Sequence, residues 1–196
     1  MSMYRPVLVT GPSDTPVSRT EVKAQLDISY TDKDALIDGL IAAAVSYLDG
    51  WTGILGRALM SQTWRQDFED FCRDLPLPLF PVASITSVKY DDVDGVEQTI
   101  SNTNYTLLTN DCGSYVHFKD AFSLPSVQSE SGPRVRVAYV AGYADAANVP
   151  AAIKQAMFLM IRQWFDNPSA AIVGATVEKM PHAVDALLAP YRRTRF

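Results

Sequence analysis

The chain has 196 residues, enough for one substantial core or for a core with an inserted subdomain, but too few for two ordinary full-sized domains. Its 47% hydrophobic and 20% charged residues are typical of a globular protein and argue against a disordered or fibrous chain. The formal net charge of -5 disfavours a protein that binds nucleic acid over its whole surface, because phosphate contacts need clustered Lys and Arg.

Two helices are predicted over residues 18–53. Ser18 and Glu21 have the spacing of a capping box, which predicts a short helix through Leu26. Thr31 resembles a weaker cap of a second helix, and apolar residues follow it at helical spacing: Leu36, Ile37, Leu40, Ile41, Ala44, Val45 and Leu48. Gly50 and Gly53 end this pattern, so we expect the two helices to pair as an N-terminal hairpin.

The middle of the chain, residues 59–143, predicts an antiparallel β module. The Asp94-Gly95 pair between two alternating segments indicates a β-hairpin, and further strands are expected at Gln62–Phe68, Tyr105–Leu108, Tyr115–Phe118 and Arg134–Tyr139. Two prolines in Leu75–Leu79 exclude a central strand, so this segment is predicted to be an edge strand or an extended connection.

Residues 150–189 predict the C-terminal helices. The longer one, begun at Pro150, is apolar on nearly all sides, so both of its faces must be covered by its own domain or by a neighbouring subunit. Phe158, Leu159 and Trp164 are the candidates for this core or oligomer interface. We therefore expect an α+β fold and a single domain over 1–196: a small helical bundle, built from the N-terminal helix hairpin and the C-terminal helices, with the β module inserted in it.

The basic tail, residues 190–196, differs in charge from the rest of the chain. Arg192, Arg193 and Arg195 carry +3, so the first 190 residues sum to -8. The tail either binds an acidic surface or a phosphate, or is a frayed terminus. The N-terminus has no apolar run of a signal peptide and the longest apolar run is far below the ~18 residues of a membrane span. These features favour the cytoplasm and no membrane partner.

Catalytic and metal-binding motifs are absent from the sequence. It has no phosphate-binding loop, no dinucleotide fingerprint, no nucleophile elbow and no zinc-protease motif. Cys112 and His117 are close in sequence, but we expect a thiol and a strand histidine without a catalytic role, and we expect both Cys72 and Cys112 to be buried. The acidic run at Asp91–Asp94 fails the ligand pattern of a calcium loop. We therefore expect no enzyme, no cofactor and no metal.

Several sequence segments, taken in order, resemble those of a known family. These are the helix start at Ser18–Lys23, DKDALIDGLIAAAVSYLDGWTG, RALMSQTW, LPLPLFPVASITSVKYDDVDGVEQTI, VRVAYVAGY, VPAAIKQAMFLMIRQWFDN and VDALLAPYRR. Over residues 18–193 the chain resembles the head-to-tail connector, or head-completion adaptor, family of tailed phages and prophages. No single segment is specific to the family, but the order of the segments is.

The resemblance implies a structural virion protein without catalysis. Members dock as a dodecameric ring under the portal protein, extend the DNA channel and present a platform for the next neck or tail completion protein. It implies assembly in the host cytoplasm, then a place in the virion neck, only passing contact with DNA, and a free protein that can be monomeric. The C-terminal segment typically engages the portal, so the docking candidates here are Leu187, Leu188, Tyr191, Arg192, Arg193, Arg195 and Phe196.

Two other interpretations stay open on the sequence. The chain fits another soluble neck or tail component, or a non-catalytic dimeric scaffold, which would form stable closed dimers. It also fits a DNA-binding module that uses the arginine tail, which would bind duplex DNA with a strong dependence on salt.

Overall fold

The structure is a computed structural model that describes residues 3–129, 132–167 and 182–193. In it the chain divides into two compact units, and both come from two separate stretches of sequence. The first unit takes the residues up to Ser13 together with Ser61–Tyr143, and the second takes Asp14–Met60 with the described residues from Ala144 onwards. Whether the two units act as one domain stays a prediction. The mixed α+β fold expected from the sequence is confirmed.

Eight strands form two antiparallel sheets in the first unit. In chain order they are β1 (Val7–Thr10), β2 (Gln62–Phe68), β3 (Asp74–Leu77), β4 (Val82–Asp91), β5 (Glu97–Ile100), β6 (Tyr105–Asn110), β7 (Gly113–Phe118) and β8 (Val135–Ala141). The larger sheet has the order β1-β2-β8-β4-β5, and the smaller one has the order β3-β7-β6. The two prolines near Leu75 are compatible with this topology because β3 is an edge strand, as predicted.

The core of the sheet unit follows the alternation of its strands. In β8, Val135, Val137, Tyr139 and Ala141 are all fully buried, while the residues between them are partly exposed. The predicted hairpin at Asp94-Gly95 joins β4 to β5, and Gly95 has a φ of 77°, which glycine adopts without strain. The strand β1 was not predicted; it brings the N-terminal residues into the larger sheet beside β2.

Among its described residues, the second unit has four α-helices: α1 (Arg19–Leu26), α2 (Asp34–Leu48), α3 (Ala151–Asp166) and α4 (His182–Leu188). The predicted capping box is present at α1, where the Ser18 hydroxyl accepts from the Glu21 N–H and the Glu21 carboxylate accepts from the Ser18 N–H. The predicted pairing of α1 with α2 is also present.

The predicted cap of α2 at Thr31 is wrong. The helix begins at Asp34 with Lys33 at the N-cap, and no side chain caps it. The Asp34 carboxylate instead pairs with Lys23 at 2.7 Å and with Arg19 at 3.2 Å, so it joins the start of α2 to α1. These pairs hold the pKa of Asp34 below its usual value, chiefly through the hydrogen bond from Lys23.

The long apolar helix α3 lies at the centre of the helical unit and packs against α1, α2 and α4. Its fully buried side chains are Ile153, Ala156, Met157, Met160 and Ile161. The buried stripe of α3 therefore has a physical explanation within this unit, because three helices pack against it.

Candidate functional site: the C-terminal segment and its seat

The C-terminal segment starts from a buried anchor on α4. Val184 and Leu188 of this short helix are fully buried, and α4 packs against α3. Leu188 was predicted as a portal contact, but its side chain has no exposed surface, so we no longer propose it as one. Leu187, the residue before it, is partly exposed.

The chain then makes a 3₁₀ turn at Ala189–Tyr191 and continues onto the loop that follows α2. The guanidinium carbon of Arg57 lies 5.6 Å from the centroid of the Tyr191 ring, which is a cation–π distance. The Arg193 N–H donates to the Leu55 carbonyl oxygen at 3.0 Å. Residues 191–193 are therefore held by specific contacts, and the frayed-terminus alternative does not apply to them.

The loop under this segment, residues 49–60, is held by its own hydrogen bonds, and we call it the seat. The Asp49 carboxylate accepts from the Leu59 N–H at 2.6 Å, and the Arg57 carbonyl oxygen accepts from the Gly50 N–H at 2.8 Å. Leu55 and Leu59 are fully buried, and Arg57 is only 7% exposed. The seat presents Arg57 at a fixed position because both of its ends are bonded together.

Gly53 of the seat lies directly against backbone carbonyl groups at the end of α2. A Cβ atom at this position would lie 2.3 Å from the Asp49 carbonyl oxygen and 2.4 Å from the Leu48 carbonyl oxygen. Only glycine fits this approach, so the sequence-based role of Gly53 at the helix end has a steric basis. Gly50, the other predicted stop, has a φ of 73°, which glycine adopts readily.

Arg192 is the exposed charge of the segment. Its guanidinium donates to the Asp185 carboxylate at 2.6 Å, and both side chains are largely open to solvent. Such a pair contributes little stability and exchanges easily for another carboxylate. Arg195 and Phe196, two further docking candidates, lie outside the described residues.

The second group of candidates lies on α3 and is partly exposed. Phe158, Leu159 and Trp164 are all in this class. Phe158 and Leu159 lie away from the fully buried residues of the helix, whereas Trp164 follows Met160 by one turn and lies at the end of the buried stripe. They keep enough exposed surface to contact another molecule, and the interface predicted for them stays a prediction.

The groups that suggested chemistry in the sequence serve local structure instead. His117 pairs with Asp74 at 2.6 Å, and the predicted burial of both cysteines is wrong, because Cys72 is partly exposed and Cys112 is exposed beside the turn before β7. The Asp92 carboxylate accepts from the N–H groups of Asp94 and Val96, which fixes the hairpin turn. These bonds hold the pKa of Asp92 below its usual value, with the bond from Val96 as the main cause.

Metal sites and membrane spans are both absent from the described part of the chain. In residues 3–129, 132–167 and 182–193, no group of three or more His, Cys, Asp or Glu is placed to hold a metal ion. Over the same ranges, the helices are too short or too polar to cross a membrane.

Comparison with known proteins identifies the family. The model of the head completion protein family matches residues 16–194, which is most of the chain. The chain therefore belongs to the head completion protein family, as the order of its sequence segments indicated. It is a structural head-to-tail connector protein. No curated protein matches it.

Solved structures share the fold over almost the whole chain. A chain in the neck of an empty gene transfer agent particle, computed with C6 symmetry, matches with a TM-score of 0.76 and 24% identity and covers 98% of this chain and 97% of its own. A chain in the virion of a native gene transfer agent particle matches with a TM-score of 0.75, 24% identity and the same coverage. A third, from the neck of the native particle computed with C12 symmetry, has a TM-score of 0.60 and 22% identity and covers 96% of this chain and 97% of its own.

Proposed function

We propose that the protein forms a ring in the neck of a tailed, phage-like particle, where it extends the DNA channel from head to tail. The observation that carries this proposal is the family match over residues 16–194, together with a shared fold over nearly the full length of neck proteins solved with C6 and C12 symmetry. Assembly then takes place in the host cytoplasm, and the mature protein lies in the virion neck. Its partners are other copies of itself, the portal protein and the next neck or tail protein.

The charge of the chain fits a channel wall. Residues 1–190 carry a net charge of -8, so the protein as a whole repels DNA. A repulsive wall lets DNA pass, whereas clustered Lys and Arg would grip the phosphates in a salt-dependent way. The role requires no catalytic step and no cofactor, and we propose that the protein is not an enzyme.

We further propose that the C-terminal segment docks on the portal protein. Tyr191 and the backbone of Arg193 are fixed on the seat, which presents Arg192 to solvent with only a weak, exposed partner. Exchange of Asp185 for a carboxylate of the portal would cost little, because exposed ion pairs contribute about 0–1 kcal/mol. The partly exposed Leu187 adds apolar surface beside it. Arg195 and Phe196 remain part of this proposal on their sequence alone.

A charge reversal at Arg192 tests this docking. Arg192→Glu removes the cation and places a like charge near Asp185, so we expect clearly weaker association with purified portal protein. Arg162→Glu is the matched control, because Arg162 is also an exposed arginine paired with an exposed carboxylate, that of Asp166 at 3.0 Å. Association is measured by surface plasmon resonance at two salt concentrations, and folding is checked by circular dichroism.

The two variants separate the possible outcomes. Loss of association in Arg192→Glu with normal association in Arg162→Glu supports docking through the C-terminal segment. Equal loss in both indicates a general charge effect, and no loss in either removes Arg192 from the contact. A monomeric protein in solution does not contradict the ring, since many ring components assemble only on their template.

A further inference from the structure

The most exposed apolar side chains of the sheet unit lie at the two opposite edges of its larger sheet. At the β1 edge, Val7, Leu8 and Val9 are 44%, 47% and 57% exposed. At the β5 edge, Val93 and Val96 of the hairpin turn are 63% and 54% exposed. Exposed apolar surface that repeats at specific places on a fold marks sites of protein contact.

The β1 edge is protected only by its shortness and by a bulge in its pairing with β2 between Leu8 and Thr10, and it has no charged side chain. Three successive apolar residues expose side chains on both faces of the strand, and no residue of Val7–Thr10 is charged. Among the residues that the structure describes, β1 pairs with β2 alone, so its other side presents backbone N–H and C=O groups that need partners. Natural proteins normally blunt such an edge with charges or cover it, because it is a template for another strand.

The β5 edge is the second open edge of the same sheet. Within the described part of the chain, β5 has β4 as its one neighbour in the sheet, and its residues Glu97, Gln98 and Thr99 are exposed. The hairpin that carries β5 is held firmly, because the Asp92 carboxylate accepts from the side chain of Gln98 as well as from two backbone N–H groups. The apolar surface here lies in the turn, at Val93 and Val96, while Glu97 of the strand is charged and pairs with Lys89 at 2.7 Å. The firmly held backbone of this edge is suited to receive a strand.

The two edges are related in a way that suits a ring. Each step across the sheet, from β1 through β2, β8 and β4 to β5, is antiparallel, so β1 and β5 run in the same direction. Both strands are four residues long. Copies arranged head to tail would therefore bring β5 of one and β1 of the next together as parallel neighbours, and a heterologous contact of this type generates rings.

We propose that β1 of each copy pairs with β5 of its neighbour, so that the larger sheet continues from one subunit to the next. This contact buries the apolar residues of β1 against the Val96 end of β5 and satisfies the open backbone groups of both edges. The inference rests on the ring proposed above, and it names the surfaces by which two copies meet.

Cysteine cross-linking in assembled particles tests the contact. Leu8→Cys is combined in turn with Gln98→Cys and Thr99→Cys, in a chain whose two native cysteines, the partly exposed Cys72 and the exposed Cys112, are both replaced by Ser. Residues opposite each other in paired strands lie within the Cα separation of about 4.4–6.8 Å that a disulfide needs. After mild oxidation, we expect one of the two combinations to give a ladder of linked oligomers beyond the dimer on a non-reducing gel, and the single-cysteine chains to give none.

Other results would overturn the inference. Imaging of the same particles distinguishes a failure of the β1–β5 contact from a failure of the proposed function. A complete ring without linked oligomers removes the β1–β5 contact and leaves the ring intact. Dimers from Leu8→Cys alone show that β1 pairs with itself, which also removes it. Absence of the protein from the neck overturns both the contact and the proposed function.

A second variant pair avoids cysteine chemistry. Leu8→Lys places a charge on the β1 edge, and we expect it to reduce incorporation into particles by tenfold or more. Leu108→Lys is the control, because Leu108 is 38% exposed but lies on β6 of the smaller sheet. Equal incorporation of the two variants would contradict the edge contact.

Discussion

Replacing Glu21 by Gln tests how the helical unit is held together. One carboxylate oxygen of Glu21 accepts from Lys154 of α3 at 2.8 Å, and the other accepts from the N–H and the hydroxyl of Ser18 at 2.7 and 2.8 Å. These bonds, with the one from Lys154 as the largest cause, lower the pKa of Glu21 to about 2. Gln keeps the shape and the accepting oxygen of the capping box but loses the charge.

The expected size of the effect follows from the pKa and the exposure. A fall from 4.5 to about 2 would be equivalent to about 3 kcal/mol if it were fully realised. The Glu21 side chain is 43% exposed, so solvent screens the charge, and we expect Glu21→Gln to lose about 1 kcal/mol at pH 7. Because the folded pKa is depressed, this stability is present above about pH 4.5 and is lost as the pH falls through about 2.

Urea unfolding followed by far-UV circular dichroism measures the loss at several pH values, since this signal reports mainly on helices. Lys154→Met and the double variant complete a cycle that isolates the pair from other effects of each change. A coupling near zero at pH 7, or a difference between wild type and Glu21→Gln that persists unchanged at pH 2, would refute the role of the charge.

Three further predictions concern stability and are measured by the same unfolding assay. Gly53→Ala should destabilise the protein by at least about 2 kcal/mol, because its Cβ would overlap a backbone oxygen at the end of α2. Gly39→Ala, in an open part of α2, should instead stabilise it by about 0.5–1 kcal/mol. Equal effects of the two substitutions would contradict the steric role of Gly53. Leu188→Ala should cost about 2–5 kcal/mol, because the side chain is fully buried, and a cost below 1 kcal/mol would show that α4 does not anchor the segment. Asp92→Ala should lower the stability more than Asp94→Ala does, because the carboxylate of Asp92 accepts the hydrogen bonds of the turn. The reverse order would contradict that assignment.

Local signals in the sequence predicted much of the fold correctly. The capping box at Ser18, the Asp94-Gly95 turn and the prolines near Leu75 each act through neighbouring backbone, so their physics is contained in a few residues. The apolar spacing of α3 likewise indicated a helix with a buried side. The order of the sequence segments was enough to indicate the family.

Features that depend on distant residues were missed. β1 is short and exposed on both faces, so it has no alternation to detect, and it forms only because β2 lies beside it. The carboxylate of Asp34 binds Lys23 across the two helices, which no local pattern reveals. The seat of the C-terminal segment also stayed hidden, because Arg57 and Tyr191 are far apart in the sequence. The burial of Leu188 could have been inferred from its spacing with Val184 on one face of α4.

Affinity isolation of the tagged protein from cells that produce the particles tests the central proposal most directly. The proteins isolated with it are identified and quantified by mass spectrometry. A head-to-tail connector that docks on the portal predicts recovery of portal protein in nearly equal amount, together with other head or neck proteins. A folded and abundant bait that recovers neither portal nor capsid protein would contradict the proposed role.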